Sequence, residues 1–251
     1  MGGRPMPAVL PSLAAKGVHI RRSEVTMIAG QPGAGKSLVA LWHAVHWAKH
    51  DGLRGIYFSA DSAELGQAAR ALAMVIMNLT VAEAEALLES EDPWAVEGLA
   101  QINNLFWSFE DDLSYENIDD EIEAFQELWG VPPDFIIVDN LTDVEGQAED
   151  EGGMQRRAMK ALTQLARKTD SAVIVLHHTS EDPRYKEDPC PPRSAIMFKV
   201  TAKPSLVITT SDHGERRPLA VVKYRYGDSD KSGRTAIWFR LDQKTLHWSE
   251  L

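Results

Sequence analysis

A chain of 251 residues with 44% hydrophobic and 25% charged residues has the composition of a globular protein with one large core or two small ones. One cysteine, Cys190, excludes an internal disulfide framework and suits a reducing compartment. No apolar run reaches membrane-spanning length and Met1–Pro5 lacks a signal-peptide core, so a cytoplasmic protein with no membrane partner is expected. The formal net charge of −11 argues against a surface coated for nucleic-acid binding, though it leaves room for a local basic path.

Residues 1–17, with Pro5, Pro7, Pro11 and two early glycines, read as an N-terminal arm or linker, and residues 18–251 as one domain. Val25–Ala29 reads as a short buried strand. It runs into Gly30-Gln31-Pro32-Gly33-Ala34-Gly35-Lys36-Ser37, which fits G-x-x-x-x-G-K-[ST]. From Leu38 a helix follows to about His50, stopped by Asp51-Gly52. Glycines in this arrangement let backbone N–H groups close around the α- and β-phosphates of a nucleotide at the positive end of a helix. Lys36 then reaches the β- and γ-phosphates, and the Ser37 hydroxyl holds Mg²⁺. A glycine-rich turn matching by chance is the alternative, and the strand before and helix after argue against it. Gly30 through Leu38 are the expected nucleotide-binding residues. With no N-K-x-D sequence, ATP is favoured over GTP.

Gly55–Ala60 reads as a second strand with Asp61 at its end, followed by helices over Ala63–Met77 and Val81–Glu89. A third strand is expected at Asn104–Phe109, an amphipathic helix at Ile118–Trp129, and a fourth strand at Asp134–Asp139. The acidic loop Val144–Gly153 leads to a helix over Met154–Lys168. Ala172–Leu176 is a fifth strand ending in His177-His178. Glu181–Pro192, with four prolines, is a loop long enough to suspect function. Ser205–Thr210, Leu219–Tyr226 and Thr235–Leu241 alternate like antiparallel strands. The pattern implies an α/β fold: a mostly parallel sheet with helices on both faces and a C-terminal antiparallel extension. Ligands of such sheets bind at the carboxyl ends of the strands, where the P-loop, Asp61, Asp139 and His177-His178 all fall.

Asp139 stands where P-loop enzymes put the carboxylate that holds Mg²⁺; a strand-ending turn aspartate is the plainer alternative. Asn140 follows it, so no glutamate base comes next. Asp61 is the base candidate, able to polarise the attacking water, and also a helix cap, since Asp61-Ser62-Ala63-Glu64 resembles a capping box. One of His177-His178, with His178 the choice, is placed to sense the γ-phosphate and signal to the 181–195 loop; two core or surface histidines with no role are the plainer alternative, and zinc binding with Cys190 fits no familiar spacing. Lys223 and Arg225 on a late strand are either a solvated face or arginine-finger-type cations reaching a neighbouring subunit's nucleotide. Glu110, Asp111, Asp112, Asp119, Asp120, Glu121 and Glu123 are nuclease-type metal ligands or, more simply, a solvated helix face.

In this order and spacing the residues resemble the RecA/DnaB-type, RepA-like hexameric helicase ATPase core, over nearly the whole chain from about Leu13. Phe58–Glu64 with Arg70 is similar to the helicase segment after the second strand, with Asp61 where the family has a glutamate base. Ile136–Asp139 resembles the Walker B strand, Val175–Thr179 the His-His-Thr variant of the fifth strand, and Lys223–Gly227 the Lys-x-Arg-x-Gly strand. The resemblance implies a RecA-like P-loop fold and catalytic roles for Lys36, Asp61, Asp139 and His178, with Lys223 and Arg225 completing the site across a subunit interface. It also implies a homo-oligomer, usually a hexameric ring, around single-stranded DNA, in a phage or plasmid replication protein. The first candidate DNA loop is acidic (Asp143, Glu145, Glu149, Asp150, Glu151), so Arg156, Arg157, Arg184, Lys186 and Arg193 are the expected phosphate contacts. The expected function is an Mg·ATP-driven DNA motor. The alternatives are a regulatory or recombination ATPase that does not unwind DNA and a metal-dependent nuclease.

Overall fold

The computed structural model describes residues 2–60, 62–109, 113–141, 151–180, 182, 185 and 188–251. In chain order they form α1 (Pro11–Ala15), β1 (Val25–Gly30), α2 (Lys36–Asp51), β2 (Gly55–Ser59), α3 (Glu64–Val75), α4 (Val81–Glu89), α5 (Pro93–Ala100) and β3 (Leu105–Ser108). There follow α6 (Tyr115–Trp129), β4 (Phe135–Asp139), α7 (Glu151–Thr169), β5 (Ala172–His178), α8 (Phe198–Thr201), β6 (Leu206–Thr210), β7 (Arg216–Tyr224), β8 (Ala236–Leu241) and β9 (Trp248–Glu250).

The strands make one nine-stranded sheet in the order β3-β2-β4-β5-β1-β6-β7-β8-β9. All neighbours from β3 to β6 are parallel, and β6 through β9 are antiparallel. The continuous apolar runs of β1, β2 and β6 are buried along their whole length, as strands covered on both faces must be. One face packs on α2, through Val39, Leu41 and Trp47 against Tyr57, Phe135 and Ile174. The other packs on α6 and α7, through Ile118, Ile122, Met159 and Leu162 against Ile136, Val138 and Val175. The α/β architecture with a C-terminal antiparallel extension is the one the sequence implies.

Register does the positioning. Gly30 at the end of β1 lies opposite His178 of β5, and Ser59 of β2 lies opposite Asp139 of β4. The carboxyl ends of four neighbouring strands, β2, β4, β5 and β1, therefore converge beside the start of α2.

The first seventeen residues are a correction. Expected as an arm, they lie on the core: Met6, Val9, Leu10 and Leu13 are buried in the α2-side cluster. The backbone bonds Met6 N to Ile20 O and Arg22 N to Arg4 O, together with a hydrogen bond from Trp47 Nε1 to the Pro7 carbonyl, tie the segment down. Pro11 is the first residue of α1, where a missing N–H costs nothing.

Candidate nucleotide-binding site

Gly33 and Gly35 have φ of +75° and +83°, backbone conformations that side chains resist, so the loop's tight path requires glycine at both places. Gly30 is held to glycine differently: a Cβ there would sit 2.5 Å from the carbonyl oxygen of Thr210 on β6. Gly35 is the N-cap of α2 and offers no capping side chain, leaving the first helical N–H groups for an anion. Lys36 is 6% exposed. Its Nζ donates to the carbonyls of Gly30 at 3.2 Å and Gln31 at 3.0 Å and lies 3.4 Å from His178 Nδ1. Burial lowers its pKa and the charge of Asp139 partly restores it. Ser37 follows in the first turn of α2, and Leu38 packs against the core.

Asp139 is not alone at its strand end. The buried Tyr57 of β2 donates its hydroxyl to Asp139 Oδ2 at 3.0 Å and stands 3.5 Å from the Ser37 carbonyl. Burial, then the Asp139 charge, push the phenol well above its ordinary range, so Tyr57 stays a neutral donor. Beside it Gln67 donates to Ser59 Oγ, and Arg70 donates to Gln67 Oε1, both at 3.2 Å. This polar chain links α3 to the ends of β2 and β4. Sequence reasoning missed Tyr57 and Gln67; the one available signal was a phenol in mid-strand, between Ile56 and Phe58.

The two histidines separate. His178 approaches Lys36, whereas His177 is buried, with its pKa lowered to about 4 by burial, His178 and Lys36, and so is neutral at physiological pH. Cys190 is buried, with its thiol pushed up to about 12 by burial, the mark of a core residue. Among the described residues no three His, Cys, Asp or Glu side chains gather as a metal cluster. Asp119 instead pairs with Lys168 at 3.2 Å, with Glu123 at 3.9 Å from the same amine. Asp61, Glu110, Asp111, Asp112, Asp143, Glu145, Glu149, Asp150, Arg184 and Lys186 lie outside the described residues.

Lys223 and Arg225 do not join the P-loop of their own chain. Tyr224 pairs with Leu206 at the start of β6, the end of the sheet away from Thr210 and the P-loop. Lys223 Nζ donates to the carbonyls of Thr201, Ala202 and Pro204 at 2.7, 3.0 and 2.6 Å. Burial and the charges of Arg193 and Arg225 lower its pKa to about 8. Arg225 is exposed, with Nη2 donating to the Lys203 carbonyl at 3.2 Å.

Residues 10–184 match the AAA domain family. The chain belongs to that family. This AAA domain chain is 28% identical over 240 residues to the Gene 65 protein of Mycobacterium phage L5, covering 92% of the chain and 88% of that protein. It is 26% identical over 217 residues to the Gene 65 protein of Mycobacterium phage D29, covering 83% and 91%. Two solved structures share its fold at 15% identity. One, an ATPase domain, has a TM-score of 0.82, covering 99% of this chain and 93% of that one. The other, a DnaB-like replicative helicase solved for its interactions with primase, has a TM-score of 0.78, covering 99% of this chain and 63% of that one. The fold is the RecA-like one of helicase ATPase domains.

Beyond the P-loop of the AAA domain chain, His177, His178 and Thr179 open onto a cleft of about 1170 Å³. Its walls carry Arg193, Lys231 and Arg234; Arg234 also pairs with Asp188 at 3.0 Å. Arg156 and Arg157 are exposed on α7. Of the expected DNA contacts, then, the cleft takes in Arg193. Lys231 and Arg234 are additions, hidden in the sequence as a turn between two hairpin strands. No helix among the described residues is long and apolar enough to cross a membrane.

Proposed function

We propose that this chain hydrolyses ATP with Mg²⁺ and couples the cycle to movement on single-stranded or forked DNA, as a phage replication motor. The observation that carries the reading is the convergence of Lys36, Ser37, Asp139 and His178 at one sheet edge, beside a glycine loop of the required backbone geometry. Lys36 and the α2 N-terminus bind the phosphates. The Ser37 hydroxyl and the Asp139 carboxylate are hard oxygen donors and suit Mg²⁺, with Tyr57 fixing the carboxylate. Bound there, Mg²⁺ neutralises charge on the β- and γ-phosphates. Asp61 accepts a proton from the attacking water, whose oxygen bonds to the γ-phosphorus as the bond to the β-bridging oxygen breaks, giving ADP and phosphate. His178, next to Lys36, reads the γ-phosphate and passes its loss to the 181–195 loop.

Lys223 and Arg225 face away from their own P-loop, which supports a role across a subunit interface, in a ring of six copies. The cations of the large cleft supply the DNA path in an otherwise acidic protein. The deciding experiment is ATP hydrolysis with and without single-stranded DNA, with Lys36→Ala as control. Strong stimulation that the substitution abolishes supports the motor and justifies a forked-duplex unwinding assay. Hydrolysis indifferent to DNA favours a second reading, a regulatory or recombination ATPase. The commitment of Lys223 to three backbone carbonyls speaks for that alternative.

A further inference from the structure

We infer that Arg217 is a second cation of the phosphate site, supplied by the same chain as the P-loop. Arg217 sits near the start of β7, opposite Phe239 of β8, and is 6% exposed. Its Nη1 pairs with Asp212, a carboxylate whose own side chain is 55% exposed. Its Nε is buried and has no hydrogen-bond partner among the described residues. A Cβ placed on Gly35 would lie 3.4 Å from that Nε. The guanidinium is thus packed against the P-loop, at the N-cap of α2.

Such a placement is unfavourable without an anion. The N-terminus of α2 carries positive partial charge that repels a buried cation. The guanidinium has five N–H donors, and burying one unpaired is costly. Asp212 offsets part of this from a half-exposed position on one side only. The buried Nε faces the Gly35 side, where the loop's N–H groups are arranged to take phosphate. A nucleotide phosphate oxygen accepts from Arg217 there, and Asp212 is its competitor for the guanidinium.

The inference rests on the nucleotide reading above and makes two substitutions act in opposite directions. The test is displacement of a fluorescent ATP analogue by ATP and by inorganic tripolyphosphate, each with Mg²⁺. Arg217→Gln is expected to weaken both by about tenfold, the size of one charge-assisted hydrogen bond. Asp212→Asn frees the guanidinium and is expected to tighten both by about two- to threefold; a purely structural ion pair would make both variants weaker. Loss of ATP affinity with tripolyphosphate unchanged would move Arg217 to the base or sugar and overturn the assignment, as would no change in either. Should Arg217→Gln fail to fold by its thermal midpoint, Asp212→Asn decides alone: tighter binding supports the inference, and weaker or unchanged binding overturns it. ATP binding that survives Lys36→Ala unweakened would overturn this inference together with the nucleotide reading. Binding lost in Lys36→Ala but indifferent at Arg217 and Asp212 overturns this inference alone.

Discussion

Tyr57 and Asp139 are joined by a hydrogen bond of 3.0 Å, although 82 positions separate them in the sequence. The phenol comes from one strand of a parallel pair and the carboxylate from the end of the next. This bond holds the Asp139 carboxylate in one orientation at the strand end. Tyr57→Phe keeps the ring and its packing and removes only the donor. It is expected to cut the ATP turnover number several-fold and to lower the thermal midpoint by about 2–4 °C, from the loss of about 1 kcal/mol. Nucleotide binding measured without Mg²⁺ should be unchanged; a fall there as large as in turnover would show that Tyr57 shapes the P-loop itself.

His43 gives a stability prediction away from the site. It is buried in α2, bonds the Val39 carbonyl at 2.8 Å, packs edge-on against Trp47, and its pKa is lowered to about 4, chiefly by burial. The unfolded chain takes up this proton below about pH 6.5, while the folded chain refuses it until about pH 4. Stability is therefore present above pH 6.5 and lost as the pH falls through that window, by about 2 kcal/mol at pH 5. His177 adds a loss of the same sign. Urea unfolding at pH 7 and pH 5 should show the fall, and His43→Gln should reduce it.

Much of this site could be read from the sequence, because a P-loop is a local object: its glycines, lysine and serine all fall within Gly30–Ser37 and dictate their own backbone. The apolar runs of β1, β4 and β5 were equally plain, and with them Asp139 and His178 at their ends. What sequence could not give is contact between distant residues. Tyr57 meets Asp139 because β2 and β4 lie side by side, and Arg217 meets Gly35 because β7 stands one strand beyond β1, across β6. The N-terminal segment misled for another reason: its prolines suggested a linker, while Met6, Val9, Leu10 and Leu13 were spaced to cover the α2 side of the core. In α5 the signals were present, Asp92 as cap and Pro93 as first helical residue, but the segment is too short for its periodicity to stand out.

Arg225 and Lys223 should behave differently when removed. Arg225 is exposed, so Arg225→Ala should leave the thermal midpoint in place and lower hydrolysis by at least about tenfold. Mixing that variant with Lys36→Ala copies should restore part of the activity, since some interfaces then pair an intact P-loop with an intact arginine. No recovery would count against sharing across subunits. Lys223→Met strips three backbone carbonyls of their donor and should lower stability by about 1–3 kcal/mol in urea unfolding.

The cleft cations can be counted by salt. If Lys231 and Arg234 each neutralise a phosphate of single-stranded DNA, replacing both with alanine weakens binding and flattens the slope of log affinity against log salt by about 1.4. Fluorescence anisotropy on a labelled oligonucleotide across a salt series measures this. An unchanged slope would remove both residues from the DNA path.

The central place of β1 has a consequence for how the protein is made. Its parallel partners are β5 on one side and β6 on the other, so Thr26 must wait for Ile174 and then for Leu206 before both its edges are paired. During synthesis the P-loop leaves the ribosome early, yet it has no finished neighbours until most of the chain has followed. A nascent chain halted before Leu206 presents β1 with the backbone N–H and C=O groups of one edge unpaired, the kind of surface that recruits other chains. The order of translation thus makes this nucleotide site among the last parts of the molecule to mature, and a truncated product a target for chaperones rather than a smaller working ATPase.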